Sequence, residues 1–593
     1  MPLFDGTLTL SSNLDYFEHQ GACYVYHNLF GYILQMSEDL VELLEFFRGA
    51  QRTPAEVEEA FGQLFESAQL GHFLMVFITQ HCLLEEGQDE EAAALKMFPV
   101  RARWTVYEEL AGQESVVLVR VGSGDEVEEI VLDDWDGAFW RLIDGERTLG
   151  EIVELLRKRS DSPAMGLERK ALATLSMLTH SDAQFLKLSP RPMSFFRAKV
   201  SRRGTPPYLI STMPYRRITE EVRGESDIRV ELDATAKPPS PVDQERDRIE
   251  ATMAHLFRRP HPAFGGRTYG AALCDHFIQS GALGNGTRIL EVGGATASLA
   301  LAMLAHLKDE KSLQVSYHVL VDGAEQAGRL RAAFDAAGQP IEVHVGKADA
   351  MGEVESLGEQ YDLIFSNEHL ANLETVLMSR LPMLDDEEDE EEPEEEGGDD
   401  KRKPPKNLFL GEGDGVNLVF KHKLSFDDVD GEFFMNAGAI HFLEQAAERL
   451  APGGSISVIE FGDLFGYPKA AEQSHGTQFS LHFRTLLAVG KSLGMEGEFE
   501  WLLARLGADN HTQMLSTNRR FFRCLRHLLA RHDVVLEDIA YTQDMFEKLL
   551  GDAGLKTDAI HAIEYEALND RAMGIVPSML KIVDLRSEGD AAS

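Results

Sequence analysis

A strand, a tight turn and a helix follow one another within a dozen residues near the middle of this chain. The apolar run Ile289–Val292 contains an acid, Glu291, and is followed by Gly293 and Gly294, after which a helical pattern begins at Leu299. Small residues in such a turn let the backbone pass close to a ligand and to the following helix. A carboxylate at the strand end can receive hydroxyl or amino groups of that ligand. The segment therefore predicts an α/β fold with a ligand site at this turn.

Three further strand patterns follow along the chain, at 317–321, 341–345 and 361–365. They are followed by Asp322, by Asp349 and by Ser366. In a doubly wound sheet, an acid at the tip of the second strand can hydrogen-bond a ribose diol. Four strand ends in this order predict a Rossmann-like sheet that binds a nucleoside cofactor.

The first turn resembles the acid-x-Gly-x-Gly-x-Gly motif of class I S-adenosylmethionine-dependent methyltransferases. Gly293 matches the motif, whereas Ala295 and Ala297 stand where that family usually has glycine. The resemblance implies S-adenosyl-L-methionine as the cofactor, an adenine site beside Asp349, and a sheet that closes with a strand at 557–565 and an antiparallel last strand at 579–585. The cofactor-binding residues that we expect on this basis are Glu291, Gly293, Gly294, Ala295, Asp322, Gly323, Asp349, Ala350, Ser366 and Asn367.

Composition restricts the partners of the chain. Its 593 residues predict two to four domains, and 44% hydrophobic with 26% charged residues is typical of a globular protein. A formal charge of −42 argues against nucleic acid and against anionic membranes as partners. The four cysteines have no metal-ligand spacing, and we expect no metal site from them. With no signal peptide pattern and no apolar run of about 18 residues, we expect a cytoplasmic protein.

The N-terminal third contains an internal repeat. Residues 46–57 parallel residues 142–153, and in each copy a Gly-containing turn precedes a threonine with glutamate three residues later. Thr53 with Glu56, and Thr148 with Glu151, are predicted capping boxes. We expect two small α+β winged-helix-like modules, at 1–95 and 96–198.

The second copy, Leu142–Val153, resembles PqqD-like peptide-recognition domains. Such domains bind a peptide by adding it as a strand at a sheet edge. The resemblance implies a peptide or protein substrate. The alternative is that both modules only pack, either in a homodimer or against the catalytic domain.

The rest of the chain is interpreted as a linker and one large domain. Residues 199–245 are charged and proline-rich, which predicts a linker, and 246–588 form the methyltransferase domain. Between residues 385 and 400, 13 of 16 are acidic, so 383–406 is expected to be a disordered insertion. A second, helical insertion is expected at 464–541.

The segment after the fourth strand, 366–373, resembles the MidA-type family, which methylates arginine in a protein partner. Asn367 and Glu368 match that family, but its aspartate is replaced by Asn372 or is absent. Methyl transfer requires an aligned acceptor and, when the acceptor is protonated, a base. The catalytic candidates are therefore Asn367, Glu368, which would orient a cationic or amide acceptor, and His369, a base for a hydroxyl or carboxyl.

Three functions are compatible with these patterns. The first is a methyltransferase that acts on a peptide or protein, such as the ribosomally made precursor of a natural product. The second is a degenerate methyltransferase that serves as a scaffold. The third is a small-molecule O- or N-methyltransferase. Tyr269, Asp463 and His475 are further residues expected near the acceptor. A nicotinamide enzyme is disfavoured, because here the acid precedes the glycines.

Overall fold

The chain divides into two compact units in a computed structural model. Unit 1 comprises residues 1–236, 516–536 and 545–564, and unit 2 comprises 237–515, 537–544 and 565–593. The structure describes residues 4–194 and 253–587, without the gaps at 5, 20–21, 103–104, 111–114, 122–126, 159–163, 295–296, 359, 382–407, 412, 427–428, 430, 474–475, 517–518, 557 and 569–579. The predicted linker 199–245, the acidic insertion 383–406, Ala295 and His475 lie outside the described residues.

The strands of the described residues are β1 (Leu8–Leu10), β2 (Leu14–His19), β3 (Ala22–His27), β4 (Tyr32–Met36), β5 (Leu83–Glu85), β6 (Phe98–Arg101), β7 (Val106–Glu109), β8 (Val116–Val121), β9 (Val127–Leu132), β10 (Leu186–Ser189), β11 (Arg288–Val292), β12 (Ser316–Val321), β13 (Ile341–Val345), β14 (Tyr361–Asn367), β15 (Val376–Leu381), β16 (Leu408–Gly411), β17 (Glu432–Met435), β18 (Leu450–Asp463), β19 (Ala470–Gln473), β20 (Gly476–Phe479), β21 (Leu481–His482), β22 (Met495–Trp501), β23 (Gln513–Leu515), β24 (Ile560–His561), β25 (Tyr565–Ala567) and β26 (Leu580–Ser587).

The α-helices are α1 (Glu38–Glu45), α2 (Pro54–Phe61), α3 (Ser67–Thr79), α4 (Glu90–Ala94), α5 (Asp134–Leu142), α6 (Leu149–Arg157), α7 (Ala164–Thr179), α8 (Met253–Leu256), α9 (Tyr269–Gln279), α10 (Ser298–Asp309), α11 (Ala324–Ala336), α12 (Gly415–His422), α13 (Ala437–Glu448), α14 (Phe483–Ser492), α15 (Leu502–Arg505), α16 (Arg519–Ala530) and α17 (Gln543–Asp552). Short 3-10 helices lie at Pro262–Phe264, Ala348–Glu353 and Leu370–Asn372.

Unit 1 contains one arrangement twice. In the first copy, β1 is followed by the antiparallel meander β2–β4, the helices α1–α3, and β5, which pairs with β1. In the second copy, β6, the meander β7–β9, the helices α5–α7 and β10 repeat this order, and β10 pairs with β6. The repeated order agrees with the internal repeat predicted from sequence. The winged-helix and PqqD-like assignments stay predictions.

Both predicted capping boxes are present in unit 1. The backbone N–H of Glu56 donates to the Thr53 hydroxyl, and the Thr53 N–H donates to the Glu56 carboxylate at 2.8 Å. Thr148 and Glu151 repeat these two hydrogen bonds. Each box satisfies backbone donors that the first turn of a helix leaves without partners, so the sequence alone defines where α2 and α6 begin.

Two segments from late in the chain belong to unit 1. Helix α16 packs against β7–β9, and His527 lies 2.8 Å from the Glu129 carboxylate on β9. Strand β24 pairs antiparallel with β7, with Ile560 opposite Glu108. The expectation of a strand at 557–565 in the methyltransferase sheet was therefore wrong. Its actual partner is remote in sequence, so no local pattern could identify it.

Unit 2 is built on one large mixed sheet with the strand order β13-β12-β11-β14-β18-β26-β22. The first five of these strands are parallel, and β26 is antiparallel to both of its neighbours. The predicted antiparallel last strand is thus confirmed. The chain continues from β11 to β12 and β13 on one side of β11, and then crosses to β14 and β18 on the other side. The gap between the ends of β11 and β14 is therefore a topological switch point. Ligands of open α/β sheets bind at such a point.

The centre of the expected helical insertion, 464–541, contains a strand instead. Strand β22 pairs with β26 and forms one edge of the large sheet. Apolar or glycine residues alternate with glutamates through Met495–Trp501. This period of two is the pattern of a half-buried strand, and it was the signal that could have corrected the prediction.

A second, three-stranded antiparallel sheet of unit 2 has the order β16-β15-β17. It lies in the chain between β14 and β18, and the acidic insertion separates β15 from β16. The sequence did not predict this sheet. None of the helices in the described part of the chain has the length and apolar character needed to cross a membrane.

Candidate functional site

The candidate site lies where four adjacent parallel strands of unit 2 end. Glu291 is the penultimate residue of β11, Asp322 directly follows β12, Asp349 lies four residues after β13, and Glu368 directly follows β14. Because the carboxyl ends of parallel strands lie at one edge of a sheet, residues far apart in sequence meet there. The structure therefore brings together the acids that the sequence proposed.

Gly293 is the tightest position of the site. Its φ is +84°, a backbone conformation that favours glycine. A Cβ atom at this position would lie 2.0 Å from Cγ of His369. The His369 ring thus fills the space directly above the turn, and no larger residue than glycine fits beside it.

His369 faces the predicted cofactor side of the site. Its side chain is 13% exposed, and Nε2 lies 3.8 Å from a carboxylate oxygen of Asp322. Nε2 has no hydrogen-bond partner among the described residues. Burial lowers the pKa of the imidazole, and the carboxylates of Asp322 and Asp349 oppose that shift. His369 is therefore a mostly neutral ring with one ring nitrogen available to a ligand.

Glu291 is a buried carboxyl behind the glycine turn. Its carboxylate accepts a hydrogen bond from the Tyr317 hydroxyl at 2.7 Å. Burial raises its pKa to about 7, because the single hydrogen bond from Tyr317 only partly offsets the loss of water. A second donor or a positive charge nearby would complete the stabilisation of the ionised form.

Glu368 has the most strongly shifted carboxyl of the site. The backbone φ of Glu368 is +53°, in the left-handed region, and the side chains of Glu368 and His369 contact different residues. One carboxylate oxygen accepts from the backbone N–H of Met253 at 2.8 Å and from the Asn367 amide at 3.3 Å. The other oxygen has no partner in the described part of the chain. Burial, and secondarily the charge of Glu460, raises the pKa of Glu368 to about 8.

Glu460 and Tyr269 are the residues that complete this polar cluster. Glu460, on β18, accepts hydrogen bonds from the backbone N–H groups of Phe461 at 2.9 Å and Ala371 at 3.1 Å, and burial raises its pKa to about 7. The Tyr269 hydroxyl donates to Asn367 Oδ1 at 2.6 Å. Tyr269 was expected near the acceptor, whereas Glu460 was not among the predicted site residues.

The remaining predicted residues have structural positions around this cluster. The Ser366 hydroxyl is buried and donates to the Val292 carbonyl at 3.2 Å. The Gly294 carbonyl accepts from the Gln326 amide at 3.0 Å. Gly323 is the N-cap of α11, and Ala350 forms the kink of the 3-10 helix that carries Asp349. The Asp463 carboxylate instead caps its own loop through the N–H groups of residues 465 and 466.

The buried carboxyl groups of the site would be stabilised by a cationic ligand. Three buried carboxyls, Glu291, Glu368 and Glu460, have pKa values raised to between about 7 and about 8. A positive charge beside them would stabilise their ionised forms. Buried acceptor atoms without partners in the described chain, Asp349 Oδ1 and Glu368 Oε2, are available for ligand N–H or O–H groups.

No protein-family model and no curated protein matches the sequence. Solved structures are similar to part of it. A protein from Burkholderia thailandensis bound to S-adenosyl-homocysteine is 14% identical, with 57% of this chain and 79% of that chain covered and a TM-score of 0.33. Phosphoethanolamine N-methyltransferase 2 from Haemonchus contortus, in complex with S-adenosyl-L-methionine, is 12% identical over 58% and 59%, with a TM-score of 0.28. A methyltransferase from Pyrococcus furiosus is 13% identical over 39% and 76%, with a TM-score of 0.20.

Proposed function

We propose that unit 2 has a class I methyltransferase fold, binds S-adenosyl-L-methionine, and transfers its methyl group to a peptide or protein recognised by unit 1. The observation that carries this proposal is the meeting of Glu291, Asp322, Asp349 and Glu368 at the ends of four adjacent parallel strands. In a doubly wound sheet this is the place for a nucleotide-like ligand.

The acids have separate parts in holding the cofactor. Asp322, at 50% side-chain exposure, would accept hydrogen bonds from the ribose diol. The unpartnered Asp349 Oδ1 would accept from the adenine amine. Glu291 would receive the positively charged amino group of the methionine portion, which would lower its raised pKa. Bound S-adenosyl-L-methionine supplies a methyl group on a positively charged sulfur.

Glu368 is the group that we assign to the acceptor proton. As the acceptor lone pair forms the new bond to the methyl carbon, the carbon–sulfur bond breaks, and the sulfur leaves as a neutral thioether. The acceptor then loses its proton to a base. A carboxyl with a pKa of about 8 is poised near neutral pH for this transfer, and Asn367, itself held by Tyr269, donates to it. His369, beside Gly293, is assigned to the cofactor side instead.

The peptide part of the proposal rests on the second copy in unit 1. Its sheet has the order β24-β7-β8-β9, so β24 covers one edge, and within the described residues no strand pairs with the outer edge of β9. Val131 on β9 is 58% exposed. An open edge with an exposed apolar side chain is suited to an added peptide strand. The chain itself uses this mode where the two residues of β24 add to β7.

A scaffold without catalysis is the second candidate. The observation that favours it is the His369 ring, which fills the space at Gly293 that a cofactor would approach. In that case the strand ends would keep their fold but would not admit the nucleoside. Cofactor binding separates the two functions.

The first experiment is calorimetric titration of the full chain with S-adenosylhomocysteine. We expect micromolar binding to wild type, loss of at least about tenfold in affinity for Asp322→Ala, and no change for Asp335→Ala, a matched control on the exposed face of α11. Absence of binding to folded wild-type protein would reject the methyltransferase and leave the scaffold.

The peptide proposal is tested by methyl transfer to peptides encoded next to the gene. Val131→Asp should raise KM for such a peptide without weakening S-adenosylhomocysteine binding, because a charge on the strand edge opposes pairing. Met75→Asp, on α3 and also 58% exposed, is the control. Equal KM values for both variants and wild type would exclude β9 as the peptide site.

A further inference from the structure

Two histidines and a glutamate meet on the edge of the large sheet, away from the strand ends. His318 lies on β12, and Glu342 and His344 lie on the neighbouring edge strand β13. Glu342 stands opposite His318 in the parallel register, and His344 lies two residues further on. Because alternate residues of a strand share a face, the three side chains project from the same side of the sheet.

The ligand atoms of this cluster have the spacing of a metal site. His318 Nδ1 lies 3.1 Å from His344 Nε2 and 3.6 Å from a Glu342 carboxylate oxygen, which in turn lies 3.9 Å from His344 Nε2. A point equidistant from the corners of such a triangle lies about 2.1 Å from each, which is the length of zinc bonds to imidazole nitrogen and carboxylate oxygen. The spacing of the three ligand atoms is therefore compatible with one metal ion bound to all of them.

The outer nitrogens of both rings are oriented by serines. His318 Nε2 lies 2.9 Å from the Ser316 hydroxyl, and His344 Nδ1 lies 3.0 Å from the Ser356 hydroxyl. Each ring thus keeps its other nitrogen for the shared centre. Such second hydrogen bonds are typical of metal-ligating histidines, whose orientation they fix.

We propose that His318, Glu342 and His344 form a binding site for a divalent transition metal of the zinc class. Imidazole ligands with one carboxylate suit zinc, and the two rings are buried whereas the Glu342 side chain is 69% exposed. The exposed side leaves the fourth position to water. The ion would tie the edge strand β13 to β12 and to Ser356, which follows the 3-10 helix that carries Asp349. This site is independent of the proposed methyl transfer.

The test uses metal-free full-length protein and Zn²⁺ or Co²⁺ as the probe. Wild type should bind one equivalent of Zn²⁺, should show the visible absorption of tetrahedral Co²⁺, and should melt at a higher temperature with Zn²⁺ than with a chelator. Glu342→Gln should bind Zn²⁺ at least about 100-fold more weakly, since even outer-shell changes cost 10- to 100-fold. Glu355→Gln, an exposed glutamate nearby, is the matched control and should behave as wild type.

Two results would overturn the proposal. The first is a wild-type protein that takes up no tightly bound Zn²⁺ and melts at the same temperature with Zn²⁺ and with chelator. The second is equal Zn²⁺ affinity in wild type and Glu342→Gln, which would place the ion elsewhere among the 20 histidines of the chain. His344→Gln is a second variant for the same comparison. Because none of these readouts involves S-adenosylhomocysteine, failure here leaves the methyltransferase proposal untouched.

Discussion

Replacing Glu368 by glutamine should change how the stability of the protein depends on pH. The carboxyl accepts two hydrogen bonds on one oxygen, and its second oxygen has no partner in the described chain. Burial raises its pKa from 4.5 to about 8. Glutamine keeps the shape of the side chain and removes the ionisation.

The direction in which the unfolding free energy changes with pH follows from proton linkage. The folded protein binds this proton more tightly than the unfolded chain does, so the stabilisation is complete below the unfolded pKa of 4.5 and is lost as pH rises through about 8. One pKa unit corresponds to about 1.4 kcal/mol, so the wild type should lose about 2 kcal/mol of unfolding free energy from this group between pH 6 and pH 8. Glu368→Gln should lack that decrease.

The assay is denaturant unfolding of the full chain at pH 6, 7 and 8, with stability plotted against pH for each variant. Glu355→Gln, an exposed glutamate of unit 2, should show the same slope as wild type. In the same protein, Glu368→Gln should lower kcat of methyl transfer by about 10²- to 10⁴-fold while S-adenosylhomocysteine still binds.

Coinciding slopes for wild type and Glu368→Gln would refute the reasoning, because the carboxyl would then titrate as it does in water. Full activity in Glu368→Gln would separately reject Glu368 as the acceptor base. A steeper slope in Glu368→Gln than in wild type would refute it as well, because removing a carboxyl with a raised pKa should only reduce the pH dependence.

Three other predictions concern single contacts. Gly293→Ala should destabilise the fold by about 1–3 kcal/mol through overlap with His369 and through the φ of +84°, and the double variant with His369→Gly should recover only the part due to overlap in urea unfolding. Thr148→Ala should cost about 1 kcal/mol through loss of its capping box, whereas Thr148→Ser should cost little. The affinity for S-adenosylhomocysteine should rise between pH 6 and pH 8, because Glu291 must lose its proton to receive the cationic amino group, and calorimetry on Glu291→Gln should show no such rise.

Local signals were enough for several parts of this protein. The turn after β11, the acid after β12 and the two capping boxes each depend on a few consecutive residues, and the structure contains all of them where the sequence indicated. The antiparallel last strand followed from a resemblance that covers the order of elements. Such features are encoded by a few consecutive residues, so they can be predicted without knowing which distant segments pack beside them.

The pairing of strands that lie far apart in the sequence could not be predicted from local patterns. The partner of β24 is β7, and β22 becomes an edge strand because β26 lies beside it. Strand alternation indicates that a segment is a strand, but the identity of its neighbour depends on which distant surfaces are complementary. The sequence therefore missed both assignments, although the alternation within β22 was visible.

The properties of the candidate site also depend partly on local sequence and partly on tertiary structure. The sequence determined which side chains stand at the ends of the parallel strands, since each strand end is a local feature. Only the tertiary structure decided that His369 fills the space at Gly293, that Glu368 is buried with a raised pKa, and that His318 meets His344 across two strands. A pKa and a ligand distance depend on which atoms from remote segments exclude water or face each other, and that information exists only once the chain has folded.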